Sequence, residues 1–235
     1  MLECRQNPQH NIVMALLDYN PPTSPYLDIV YQDDEMVVFN KPSGLLSVPG
    51  KAREHFDSLM LRAQRVWPNS GIVHRLDMMT SGIIVMAMHK DALKYLNRQF
   101  QDRLTSKSYV AIVSGHLDQE KGEIDLPLIC DWPNRPKQMV CYENGKPSLT
   151  LYQVLQRTER NGQPVTRVQL TPITGRSHQL RVHMQQLGHP ILGDRLYAPE
   201  SVIALSPRLL LHAERLQISH PDSEQMMTFE RPAEF

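Results

Sequence analysis

The sequence predicts an α+β domain with a mixed, largely antiparallel sheet and flanking helices. Three observations carry this. Short β-rich runs recur from Leu27 to Phe229, three segments repeat apolar residues at helical spacing, and no repeat, low-complexity tract or clear linker divides the 235 residues. With 41% hydrophobic residues, the chain can bury one large core or two small ones.

Residues 1–25 read as an N-terminal arm containing Asn20-Pro21-Pro22, and 26–235 as the main domain. Leu27–Tyr31 and Met36–Phe39 are strands joined across Gln32-Asp33-Asp34-Glu35, a hairpin signature. Lys41-Pro42-Ser43-Gly44 and Pro49-Gly50 mark loops. Leu59, Leu61, Ala63 and Val66 predict a helix over 54–66, and Ile83–Met88 is a short apolar strand. Leu93, Leu96, Phe100 and Leu104 make 91–104 an amphipathic helix. Tyr109–Val113 is again a strand, and 126–147, rich in proline and turn residues, is a long ordered excursion. Leu149–Leu155 and Val165–Leu170 alternate in the strand manner around Asn161-Gly162, the pattern of a long hairpin. Residues 177–187 predict a helix with Ser177 as N-cap and Gly188 just past its end. Leu209–His212, Leu216–Ser219 and Met226–Phe229 close the sheet.

Composition narrows the class of function. No apolar run approaches the ~18 residues of a membrane span. Glu3 and a single Arg5 before the first short apolar stretch do not make a secretory signal. Cys4, Cys130 and Cys141 are odd in number and form no CxxC, which predicts a reducing, cytoplasmic location. The net charge is zero, but its distribution is uneven. Residues 1–40 carry one basic and six acidic side chains and 214–235 carry two and five, leaving 22 basic and 14 acidic in 41–213. Such a chain can present a basic face to nucleic acid, or simply be unevenly charged.

Three clusters are candidates for chemistry. In His74-Arg75-Leu76-Asp77-Met78-Met79-Thr80-Ser81-Gly82, hydroxyls and backbone N–H groups can hold an ionised Asp77 in place. The structural alternative is that Asp77 caps a turn and Arg75 sits in solvent. In Thr174-Gly175-Arg176-Ser177-His178-Gln179-Leu180-Arg181-Val182-His183, arginines meet a helix start, an arrangement suited to phosphate or carboxylate. The alternative is an exposed polar helix face. Tyr109, at a strand start beside Lys107, offers a hydroxyl to a cleft or packs in the sheet. His178, His183 and His189 lack the i, i+4 spacing of a helical metal pair, HExxH is absent, and so are GxGxxG and the P-loop. No metal and no cofactor are therefore expected.

Together these segments closely resemble the RluA family of pseudouridine synthases. The resemblance rests on His74-Arg75-Leu76-Asp77 with Thr80-Ser81-Gly82, on Tyr109-Val110-Ala111, and on the run from Gly175 to His183. Asn40-Lys41-Pro42-Ser43-Gly44-Leu45, Gly188-His189-Pro190-Ile191-Leu192-Gly193-Asp194 and Leu211-His212-Ala213 add to it, as does Leu126–Gln138, which points to a dual-specificity member. It extends from about residue 26 to the C-terminus. It implies a pseudouridine-synthase fold with an RNA-binding cleft, no S4 RNA-binding domain, and action on a uridine of 23S rRNA and one in the tRNA anticodon loop. Stem-loops would be the partners, with no membrane and no obligatory protein partner.

The resemblance also implies roles. Asp77, Tyr109 and Arg181 would be catalytic, and Arg75, Arg176, Lys41, His74 and Thr80 would contact RNA. Asp77 would attack C1′, stabilise positive charge there, or take the ribose 2′ proton. Arg181 would pair with Asp77 and favour its ionised form. Tyr109 would lie against the base and deprotonate C5. Arg75 would fill the gap left by the flipped base, with Arg176 and Lys41 on phosphates. The rivals are a nucleic-acid N-glycosidase, in which water captures the sugar, and a non-catalytic RNA-binding module.

Overall fold

The computed structural model describes residues 19–235. Cys4 and the opening of the N-terminal arm lie outside them. In chain order the elements are β1 (Ile29–Gln32), β2 (Met36–Lys41), α1 (Leu59–Gln64), β3 (Gly71–Ile72), β4 (Ser81–Ala87), α2 (Lys90–Gln101), β5 (Ser106–Ser114) and β6 (Lys121–Asp125). There follow β7 (Leu128–Cys130), β8 (Gln138–Val140), β9 (Leu149–Arg160), β10 (Gln163–Pro172), α3 (Gln179–Gln186), α4 (Glu200–Ile203), β11 (Leu211–Ser219) and β12 (Met226–Glu230). They group into two compact units, one over 19–111 with 208–235 and one over 112–207. The α+β class holds in both, and pairing is antiparallel except between β4 and β11.

The 19–111/208–235 unit contains the strand order β1-β2-β4-β11-β5, with β3 beside β4 and β12 beside β11. All seven residues of β4 are buried. A strand buried on both faces reads as a continuous apolar run, which is why Ile83–Met88 shows no alternation in sequence. Ile83, Val85 and Ala87 face a core closed by Ala92 and Leu96 of α2. Ile84 and Met86 face the opposite core, with Leu59 and Ala63 of α1. At Gly82, φ is +112° and an added Cβ would lie 2.2 Å from the Ala213 carbonyl oxygen, so β11 can approach only a glycine.

Two helices are shorter than expected. Over 54–66 the chain makes a 3₁₀ turn at Arg53–His55 and then α1, begun by the Ser58 hydroxyl, which accepts the Leu61 N–H. α2 ends at Gln101, so Leu104 falls outside it, 63% exposed. Residues 19–26 are tied down. Tyr19 donates to the Asp57 carbonyl, and buried Arg62 forks onto Asp57 while donating to the Pro22 and Tyr26 carbonyls.

In the 112–207 unit β10, β9 and β6 are neighbours in that order, and β7 and β8 form a separate hairpin within the excursion. The β9–β10 hairpin turns at Asn161 and Gly162, both at positive φ, as a two-residue hairpin turn requires. Gly188, at φ +87°, ends α3 as expected, but its start differs. His178, not Ser177, precedes the first turn, in the left-handed conformation and with no side-chain cap bond. No helix among the described residues is long and apolar enough to cross a membrane.

Candidate active site

Asp77 lies in the loop between β3 and β4, and that loop is fixed through its main chain. Ser47, buried, both accepts the Leu76 N–H at 3.1 Å and donates to the Leu76 carbonyl at 2.7 Å. The Gly44 N–H donates to the Met78 carbonyl at 2.9 Å and the Ser43 hydroxyl to the Met79 carbonyl at 2.7 Å. The Thr80 N–H closes a turn onto the Asp77 carbonyl. The Leu76 side chain anchors the loop in the core beside Val37, Phe39 and Leu45. Arg75 is exposed and Asp77 half-buried, on either side of that anchor.

Lys41 is completely buried, and its ammonium donates to the carbonyls of Pro42, Leu45 and Met78 at 2.9, 2.7 and 3.1 Å. Each ammonium hydrogen thus has an acceptor. Burial pushes the pKa down to about 7, opposed by the Asp77 charge. Through these three bonds Lys41 supports the loop. The signal for this was not in the residue type, because the carbonyls that bind it come partly from a loop 37 residues away.

His74 packs within the 19–111/208–235 unit. Its ring stacks on Phe100 at 4.5 Å and its Nε2 accepts the Val85 N–H at 3.2 Å. Burial, and then the charge of Lys107, push its pKa down to about 3, so it is neutral and structural. The Thr80 side chain is buried, and its backbone makes the turn.

Tyr109 sits on β5 opposite Ala213 of β11 and packs against the core that holds Leu76. Burial, and then the Asp77 charge, push its phenol above the ordinary tyrosine range. Its surroundings therefore oppose ionisation, the reverse of the help that a C5-deprotonating phenolate would need. Lys41, Tyr109 and Asp77 are close enough for the carboxylate to act on both titrations.

Arg176 and Arg181 belong to the 112–207 unit. Arg176, half-buried, donates Nε to the Pro147 carbonyl at 3.3 Å, and its backbone N–H donates to Gln179 Oε1. Gln179 ties this turn down, accepting from Thr174 and donating to the Leu149 carbonyl and the Thr150 hydroxyl. Arg181 is buried on α3. Its Nε and Nη2 form a fork onto Asp194 Oδ2 and Oδ1 at 2.8 and 2.7 Å, and both side chains are at most 5% exposed. Tyr197 lies beneath it, with the guanidinium carbon 5.1 Å from the ring centroid. Asp194, Tyr197, Ser47 and Gln179 have structural roles that sequence reading did not assign, although three of them lie in or near motifs it quoted.

Among the described residues no three His, Cys, Asp or Glu side chains are grouped to hold a metal ion. What the Asp77 loop offers is a carboxylate on a rigid main chain, an exposed guanidinium two residues away, and a neutral phenol.

Residues 35–186 match the family described as RNA pseudouridylate synthase. The chain is 59% identical over 222 residues to the dual-specificity RNA pseudouridine synthase RluA of Escherichia coli K12, covering 94% of this chain and 100% of that one. It is 58% identical over 223 residues to the protein of the same name from Vibrio parahaemolyticus, covering 94% and 89%. Among solved structures it resembles human RNA pseudouridylate synthase domain containing 1, with a TM-score of 0.76 and 31% identity over 91% of this chain and 86% of that one.

Proposed function

The chain belongs to the RNA pseudouridylate synthase family, isomerases that turn uridine into pseudouridine, and on that premise we propose that it acts on a uridine of 23S rRNA and one in the tRNA anticodon loop. The observation that carries the reading is the fixed carboxylate: Asp77 sits in a loop whose carbonyls on both sides are held by Ser43, Gly44, Lys41 and Ser47. The relatives are named as dual-specificity enzymes, which supports the two-RNA assignment.

In the proposed reaction the N1–C1′ bond breaks, the uracil turns, and C5 bonds to C1′. The C5 proton leaves and N1 ends protonated. Atoms are conserved, so the reaction requires neither a group donor nor a redox partner. Asp77 acts as a carboxylate at C1′, and Arg181 pairs with it. Tyr109 meets the uracil as a neutral phenol. Arg75, exposed, takes the place of the extracted base, and Arg176 contacts phosphate. The catalytic domain spans 26–235, short stem-loops suffice as substrates with no protein partner, and the protein works in the cytoplasm.

The test uses purified protein with an anticodon stem-loop and a 23S rRNA fragment. The expected product is an intact strand carrying pseudouridine. An abasic site identifies an N-glycosidase instead, and tight binding without any product identifies a binding module.

A further inference from the structure

The β7–β8 hairpin shares a compact unit with α3, and its outer surface suits an unpaired RNA segment. Trp132 is 65% exposed with the Arg135 guanidinium 4.7 Å from its ring centroid, and Tyr142, just beyond β8, is 77% exposed. Single apolar residues on a surface are ordinary. Two exposed aromatics, one with an arginine on its face, offer flat stacking surfaces and positive charge, which is the chemistry that holds nucleobases and phosphates of single-stranded RNA.

Tyr197 connects this hairpin to α3. Its hydroxyl oxygen accepts the N–H of Gln138, the first residue of β8, at 2.8 Å. It also shares a 2.6 Å hydrogen bond with His178 Nδ1. His178 stands immediately before α3 at φ +53°, a conformation that is costly for a non-glycine residue and so needs outside support. The bond to Tyr197 supplies such support at the turn from which Arg181 projects. The other side of the same residue, its ring, faces the Arg181 guanidinium. Hydroxyl and ring thus do separable work: one grips the hairpin and the helix start, the other limits how the guanidinium can tilt.

We propose that Tyr197 is a positioning residue that joins the β7–β8 hairpin to Arg181, so that RNA stacked on the hairpin is held in register with the guanidinium. This rests on the reading of the protein as an RNA pseudouridine synthase. The hydroxyl acts through the hairpin and the start of α3, whereas the ring faces Arg181 directly.

The experiment is steady-state kinetics of the full chain on an anticodon stem-loop, with thermal melting of every variant. Tyr197→Phe keeps the ring, and KM is expected to rise by about tenfold with a smaller change in kcat, the loss of the hydroxyl's two part-buried hydrogen bonds. Tyr197→Leu removes the ring as well, and kcat is expected to fall by roughly tenfold or more, which the phenylalanine largely restores. Trp132→Ala changes an exposed residue and leaves the fold intact. Combined with Tyr197→Phe it should raise KM by less than the product of the two single effects. Independent, multiplicative effects on KM overturn the proposal, and so do equal kcat values for the Phe and Leu variants. Should Tyr197→Leu fail to fold, the Trp132/Tyr197→Phe cycle decides alone. Asp77→Asn is run alongside: full turnover there overturns the functional reading itself, whereas an inactive Asp77→Asn with multiplicative Tyr197 effects overturns only this inference.

Discussion

The loop around Asp77 is gripped by its backbone, whereas Arg181 is gripped by its side chain. Leu76, Met78 and Met79 present carbonyls that Ser47, Gly44, Lys41 and Ser43 bind, while the Asp77 carboxylate makes none of these bonds. On α3 the guanidinium itself takes the fixings, the Asp194 fork and the Tyr197 ring. The two grips use different chemistry. The loop is placed through the main-chain carbonyls of Asp77's neighbours. A guanidinium has five donors in a plane and can be held through some of them.

This contrast can be broken at each point. The largest effect is expected at Asp77 itself. Asp77→Asn keeps the backbone grip and the side-chain size, so RNA affinity should barely change while turnover falls by roughly 10³-fold or more. Pseudouridine formation under single-turnover conditions, set beside a binding titration, checks both. Substantial activity in a rigorously purified variant would remove Asp77 from the chemistry.

Arg181→Lys should come next, with turnover reduced on the order of 10²–10³-fold because the fork is lost while the charge stays. Single-turnover rates set beside RNA affinity check this, and unchanged turnover would confine Arg181 to its partnership with Asp194.

Ser47→Ala tests the backbone grip. It leaves the Leu76 N–H and carbonyl without their buried partner, which costs about 1–3 kcal/mol. Denaturant melts should show that loss, and turnover should fall by roughly tenfold as the loop drifts, since small misplacements cost rate. A variant that is less stable yet fully active would show that the grip serves the fold alone.

The smallest effect concerns acid. His74 has a folded pKa near 3 against an ordinary value of about 6.5, so the unfolded chain binds its proton first. The stability it supports is complete above pH 6.5 and is lost as pH falls toward 3. His183 and His212 are pushed down as well, also by burial first. His74→Phe keeps the stack on Phe100 and should flatten, without abolishing, the decline of the urea midpoint on acidification. An unchanged slope would show that His74 is not among its causes.

Much of this arrangement was legible in the residues, and what was not has a common cause. The β9–β10 hairpin was readable from Asn161-Gly162, and the end of α3 from Gly188, because both follow from the φ of one or two residues. The helix start was not, because His178 is bonded to Tyr197, nineteen positions away. The burial of Lys41 was not legible either, because lysine is usually solvated and its partners include a carbonyl from a distant loop. β6 escaped notice because Lys-Gly-Glu-Ile-Asp buries only Ile124. Local conformation can be read from the chain, but the partners of a polar group usually cannot.

The placement of β11 has a consequence for when the protein becomes competent. It lies between β4 and β5, pairing His212 with Ser81 and Ala213 with Gly82, yet more than a hundred residues separate Ala87 from Leu211. At about 10 residues per second, roughly ten seconds of translation pass between them. Throughout that interval β4, which follows the Asp77 loop directly, lacks its neighbour on one side. A growing chain leaving a ribosome is surrounded by ribosomal RNA, the very polymer assigned to it as substrate. Late arrival of β11 leaves β4, and the Asp77 loop before it, without that neighbour until the strand is made.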